Sequence, residues 1–173
     1  MEIIANILGI AAVVFFVLSY QFKKNSNIIL CNALSRVLYV SQYFLLGAYE
    51  GAWLDITAFL ISVFCYLQSR KNARKNLVVL IVLSNLMIVA VGLISYRNIF
   101  SILPILGVVF ETQALYLKSV NKILLMSLFG APFWLIYNFA SEAYGSCIGD
   151  VLSMVSIGIA MIRYDVLPKF KKN

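Results

Sequence analysis

The sequence predicts an all-α, polytopic membrane protein of seven transmembrane helices. Three observations carry that prediction: an apolar composition, apolar runs of bilayer length, and basic residues confined to alternate gaps between them. Of the 173 residues, 62% are hydrophobic and only 12% are charged. The mean hydropathy is strongly positive, at +0.93. A soluble domain of this length needs far more charge to cover its surface. The net charge of +7 comes from short clusters in the gaps, not from a basic surface interleaved with aromatics. Nucleic acid is therefore not an expected partner, and a positive-inside bias accounts for the charge.

Crossing the hydrocarbon takes about 20 helical residues. On that ruler the expected spans are 3–22, 28–47, 52–69, 76–96, 99–117, 122–141 and 143–163. The opening run, MEIIANILGIAAVVFF, has an acidic Glu2 in place of the basic region of a cleaved signal peptide, so it is read as a retained first span. The connections are short, so successive helices run antiparallel. Lys23 and Lys24 follow the first span; Arg70, Lys71, Arg74 and Lys75 follow the third; Lys118 and Lys122 follow the fifth. Arg163, Lys169, Lys171 and Lys172 lie in the tail, whereas the alternate gaps hold Glu50, Arg97 and Glu142. Seven spans, with the N-terminus outside and the C-terminus cytoplasmic, put every basic cluster on one side. Six spans do not.

Cys31, Cys65 and Cys147 all fall within apolar runs without paired spacing, and histidine is absent. No disulfide frame, metal site or cofactor is expected.

The whole chain reads as one membrane domain with an internal repeat. A gapless shift of 95 residues lays the first three spans on the last three. Lys23 falls on Lys118, Ile28 on Ile123, Leu30 on Leu125, Phe44 on Phe139, Ala48-Tyr49 on Ala143-Tyr144, and Asp55 on Asp150. Residues 1–70 form the first three-helix unit and 99–164 the second, in the same orientation, with 76–96 as a linker helix. The linker is the least polar span, with Ser84 and Asn85 as its only mid-span polar residues.

This 3+1+3 plan resembles the SWEET/PQ-loop (MtN3-like) transporter superfamily, in which parallel repeats are known. The run Leu8–Arg70 is more closely similar to the YgjV-type family of bacterial inner-membrane proteins. The residues carrying that likeness are Ser19-Tyr20-Gln21 with Lys23 and Lys24, LLGA at 45–48, and Gly51-Ala52. The resemblance implies a small multi-pass protein of the bacterial cytoplasmic (inner) membrane. PQ-loop proteins carry Pro-Gln near the end of the first helix of each repeat. Here those places read Tyr20-Gln21 and Leu115-Tyr116, so a proline-hinged motion does not carry over. Pro104 and Pro132 are the prolines of the spans, placed to bend the fifth and sixth helices.

Arg36 stands near the middle of the second span, where a charge is costly and marks a functional site. Asn32, Ser35, Arg36, Tyr39, Gln42 and Tyr43 share its helical face. The same register in the sixth span reads Ser127, Gly130, Ala131, Trp134, Tyr137 and Asn138. The third span adds Asp55, Ser62 and Tyr66, the seventh Ser146, Asp150 and Ser153, and the fifth Glu111 and Gln113. At 1.5 Å per residue, Arg36 lies about 12 Å in from the cytoplasmic end, level with Glu111. Asp55 and Asp150 lie within about 5–11 Å of the outer boundary by the same rise. Glu111 is thus the expected partner of Arg36, with Asp150 second. Tyr49 and Tyr144 read as interfacial anchors.

Two functions fit this face. One is a transporter or facilitator for a small polar solute, moving between the two three-helix units. Its pathway would be lined by Asn32, Arg36, Tyr39, Gln42, Tyr43, Glu111, Trp134, Tyr137 and Asn138, with Tyr39 and Trp134 sandwiching the solute. Asp55 and Asp150 would act as an outer gate or proton-responsive pair. The other is a non-transporting structural or regulatory protein with a sealed, ion-paired core. A pocket lined by Asn32, Tyr39, Trp134 and Asn138 favours the first, and a fully paired Arg36 without a cavity favours the second. An enzyme is not expected: no HExxH, GxSxG or Ser/Lys dyad is present, and no GxGD-like glycine motif accompanies the aspartates. The lipid bilayer is the one partner the composition fixes, and oligomeric state stays open.

Overall fold

A computed structural model of the protein describes residues 2–71 and 77–163. Among these residues it is all-helical: α1 (Glu2–Ser19), α2 (Asn25–Leu46), α3 (Tyr49–Lys71), α4 (Leu77–Ile94), a 3₁₀ turn (Ile99–Ser101), α5 (Ile102–Tyr116), α6 (Val120–Ala140) and α7 (Tyr144–Met161). Six of these segments are long and apolar enough to cross a membrane. The apolar part of α1, Ile3–Ser19, is shorter. It ends three residues before the expected 22: Tyr20 N and Gln21 N bond three residues back, to Val17 O and Leu18 O, and leave the α-helical ladder. The basic residues Arg74, Lys75, Lys169, Lys171 and Lys172 lie outside the described residues. Lys23, Lys24, Lys118 and Lys122 are exposed.

Helices α1, α2, α3, α5, α6 and α7 pack in that order, and α1 closes the ring against α7. In lipid no hydrophobic force drives helices together, so close packing and internal polar bonds must hold this ring. Along α1, Ile3, Ile7, Ile10, Val14 and Leu18 are exposed at helical spacing, while Ala5, Ala12, Val13 and Phe16 are buried. The α1–α7 contact depends on Gly149, where a Cβ would stand 1.9 Å from Val13 Cγ2.

Helix α4 lies outside the ring against α3 and α5. Its two mid-span polar residues dock it: Gln113 donates to Asn85 Oδ1 at 2.7 Å, and the Tyr116 hydroxyl donates to Ser84 Oγ at 3.2 Å. Gln113 therefore serves α4 rather than the ring's interior. Pro104 falls in the first turn of α5, where a missing N–H costs nothing, so a bend is not needed there. Pro132 is inside α6 and removes one ladder bond.

The α2–α3 and α6–α7 turns are built alike. Gly47 has φ 72° and Glu142 φ 57°, so both are left-handed. Gly47 N donates to Phe44 O and Ala48 N to Tyr43 O, at 3.3 and 3.0 Å. Glu142 N donates to Phe139 O and Ala143 N to Asn138 O, at 3.2 and 2.9 Å. Edge-on ring pairs flank both turns: Phe44 with Tyr49, and Phe139 with Tyr144. Tyr49 and Tyr144 are exposed beside their turns, where interfacial anchors belong.

Candidate functional site

The ring's centre is polar and its outside apolar, the reverse of a soluble protein. Arg36 is 2% exposed, and all its nitrogens are engaged. Its Nε donates to Asn32 Oδ1 at 3.0 Å, one helical turn back on α2. Nη1 pairs with Asp55 Oδ1 on α3, and Nη2 pairs with Glu111 Oε2 on α5 at 2.5 Å. One guanidinium thus ties three helices together in a fork that suits planar, bidentate chemistry.

The expected Arg36–Glu111 pair is present. The second partner is Asp55, not Asp150, which corrects the expectation from depth. Counted from the α2–α3 turn, Asp55 is about four residues, or about 6 Å, closer to the turn than Arg36. A long arginine side chain spans that offset, whereas a depth reckoned at the backbone does not include it. Asp150 instead accepts from Asn138 Nδ2 at 2.8 Å, and among the described residues it has no ion pair.

Arg36, Asp55, Glu111 and Asp150 surround a small cavity together with Ser35, Phe16, Tyr39, Tyr43, Trp134 and Asn138. Its volume is about 20 Å³, measured as the space open to the centre of a water molecule. That is room for one or two waters. Asp55 and Asp150 are 2% and 6% exposed and both line this cage.

Three expected pathway residues stand behind the cage. Asn32 holds Arg36 and also accepts from Ser62 Oγ at 3.5 Å. Gln42 accepts from Ser146 Oγ at 2.6 Å, linking α2 to α7. The Tyr137 hydroxyl accepts from Gly51 N at 3.0 Å, linking α6 to the start of α3. The solute slot expected between Tyr39 and Trp134 is filled by Tyr43. Its ring stacks on Trp134 at 6.1 Å and on Tyr39 at 6.3 Å, and its hydroxyl donates to Asn138 Oδ1 at 2.7 Å.

The cage is not fully satisfied. The Tyr39 hydroxyl is buried without a hydrogen-bond partner. The Trp134 indole N–H interacts with Glu111 but falls outside hydrogen-bond geometry. Ser153 Oγ, one turn beyond Asp150 on α7, is likewise unpartnered. Phe16 was not anticipated at the cage, since nothing in an apolar stretch singles out one phenylalanine.

At the far end of the ring from the α2–α3 turn, Gln21 Nε2 donates to Ser156 Oγ at 2.7 Å, and Arg163 Nη1 donates to Gln21 Oε1 at 3.0 Å. This glutamine, together with Gly47 and Gly51, belongs to the short motifs quoted above. A family model for bacterial inner membrane proteins, Imp-YgjV, matches residues 3–167, nearly the whole chain. The chain belongs to this family. Searches of curated proteins and of solved structures gave no match. As an Imp-YgjV protein it is an integral, multi-pass protein of the bacterial inner membrane, in contact with the lipid bilayer. In the Imp-YgjV chain the motif residues hold turns and helix ends, while the charged cage lies between them.

Proposed function

We propose that this Imp-YgjV protein is a transporter or facilitator of a small polar solute, built as two three-helix units around a linker helix, with the cage as its binding site in an occluded state. The observation that carries the reading is the incompletely satisfied cage. A purely structural ion pair has every reason to satisfy all its polar atoms, because each unpaired buried group is expensive. Here a buried hydroxyl and an uncountered carboxyl border a cavity at the centre of the ring.

Several features support the two-unit plan. Eight of the ten cavity-lining residues form four pairs related by the 95-residue shift: Phe16 with Glu111, Tyr39 with Trp134, Tyr43 with Asn138, and Asp55 with Asp150. Tyr43 and Asn138 also bond to each other, as equivalent residues do when they meet at a twofold axis. Exchanging the units turns the α1–α7 contact into the α5–α3 contact, and both are present. The matched turns fit the same exchange. In this reading α1 is the seventh span, the N-terminus is outside and the C-terminus cytoplasmic, and rocking of one unit against the other opens the cage to each side in turn. The cage binds; its acids are committed to Arg36 and Asn138, and no catalytic step is assigned to it.

The test is uptake by reconstituted vesicles across a broad panel of small solutes. Wild-type protein should give saturable uptake of at least one solute, reduced at least tenfold by Arg36→Ala and by Trp134→Ala. The small cavity favours a second reading, a sealed core with a structural or regulatory role. It predicts no uptake above empty vesicles, with the same substitutions lowering stability alone.

A further inference from the structure

The charges around the cavity do not balance. Three carboxyls, Asp55, Glu111 and Asp150, face one guanidinium. Arg36 engages all three of its nitrogens with Asn32, Asp55 and Glu111, so its single charge is already shared by two of the three carboxyls. Asp150 receives only the neutral amide of Asn138. Tyr39, 8% exposed, lines the same cavity, and its buried hydroxyl has no partner. The Trp134 ring lines it too, and aromatic π-systems attract cations, tryptophan most strongly. An anionic solute would meet carboxyls with no free cation to receive it. A neutral solute would leave the lone carboxyl to stay neutral by holding its own proton, whereas a cation pairs directly with its ionised form.

We propose that the solute is a small cation bearing an ammonium group, held between Asp150 and the Tyr39 hydroxyl beside the Trp134 ring. The assignment rests on the transport reading above and names its substrate class. The ammonium donates to Asp150 and to the Tyr39 oxygen, pairs the carboxylate with a positive charge, and lies beside the Trp134 ring. The cavity of about 20 Å³ limits the occluded group to about the size of one or two waters, so methylammonium is the probe of choice.

Trp53 and Trp134 are the two tryptophans of the chain, so in Trp53→Phe protein the emission reports the cage. The purified full-length protein is titrated with methylammonium chloride at fixed pH, against sodium chloride, glucose and sodium acetate at matched ionic strength. A saturable change specific to methylammonium is expected. Asp150→Asn should weaken its apparent affinity at least tenfold, Asp150→Glu should retain saturation, and Tyr39→Phe should weaken it severalfold should Asp150→Asn not fold. An equal response to sodium chloride, an affinity unchanged by Asp150→Asn in folded protein, or a response to pH without one to methylammonium would overturn the proposal. Vesicle uptake of a neutral or anionic solute without methylammonium binding refutes the cationic class and leaves transport standing. Specific methylammonium binding without uptake of any solute refutes transport and leaves the cation site standing.

Discussion

Arg36 carries the clearest residue-scale consequence, because it is the one positive charge among three buried acids. Replacing it with methionine strands Asp55 and Glu111 against each other without a counter-ion. Removing one partner of a buried pair costs about 3–5 kcal/mol, so Arg36→Met should lower the thermal midpoint in detergent by a clearly measurable amount. Arg36→Lys should recover little of that loss, since a compact ammonium cannot serve Asn32, Asp55 and Glu111 together. A lysine variant as stable as wild type would contradict the forked geometry. Tyr43→Phe is the mild counterpart. It deletes the bond to Asn138 but keeps the ring stack, and interhelical bonds in membranes average about 0.6 kcal/mol. A larger loss would mean that this bond is coupled to the rest of the cage. Arg36, Glu111 and the aromatic stripe were legible in the sequence, because a charge and an acid at matched depth in apolar helices must face inward. The Asp55 pairing and the Tyr43 ring in the slot were not. Both depend on side-chain reach and rotamer, which helical spacing does not encode.

At the scale of elements, the two matched turns offer a natural comparison. Both need a left-handed residue; one supplies Gly47 and the other Glu142. A side chain at positive φ costs about 1–2 kcal/mol, offset by the greater freedom glycine loses on folding, about 0.5–1 kcal/mol. Glu142→Gly should therefore raise stability by about 0.5–1 kcal/mol, and Gly47→Ala should lower it by about as much, both read from thermal unfolding. The ring's closure makes a sharper case. A Cβ at position 149 would press on Val13, so Gly149→Ala should cost about 1–3 kcal/mol of overpacking strain. Pairing it with Val13→Ala should restore part of that loss, and no restoration would place the strain elsewhere. Helix number and order followed from apolar run lengths and short gaps. Helix ends did not, as α1 illustrates: Tyr20 and Gln21 close on Val17 and Leu18 three residues back, a tightening of the last turn that hydropathy cannot register.

For the whole molecule, the basic residues of alternate connections predict orientation. Reporter fusions should place the C-terminus in the cytoplasm and the Arg97 connection outside; the reverse result would remove the basis of the seven-span plan. The 95-residue offset was read from loop lysines, Ala-Tyr turns and intramembrane aspartates, and the two-unit plan drawn from it belongs to the proposal. The inward turn of the polar faces was expected from the cost of polar groups in lipid; which residues line the cavity was legible only in part, since Phe16 joins it and Asn32, Gln42 and Tyr137 do not. The central claim is that the cage opens alternately to both sides of the membrane. Ser35 lines the cavity and is fully buried, so a Ser35→Cys protein with Cys31, Cys65 and Cys147 changed to alanine carries one thiol at the cage. Labelling that thiol with a membrane-impermeant methanethiosulfonate, applied separately from each side of oriented membranes, is the direct measurement. The account predicts modification from both sides, slowed by a bound solute. A thiol that resists modification from both sides in folded protein would contradict it and leave a sealed core.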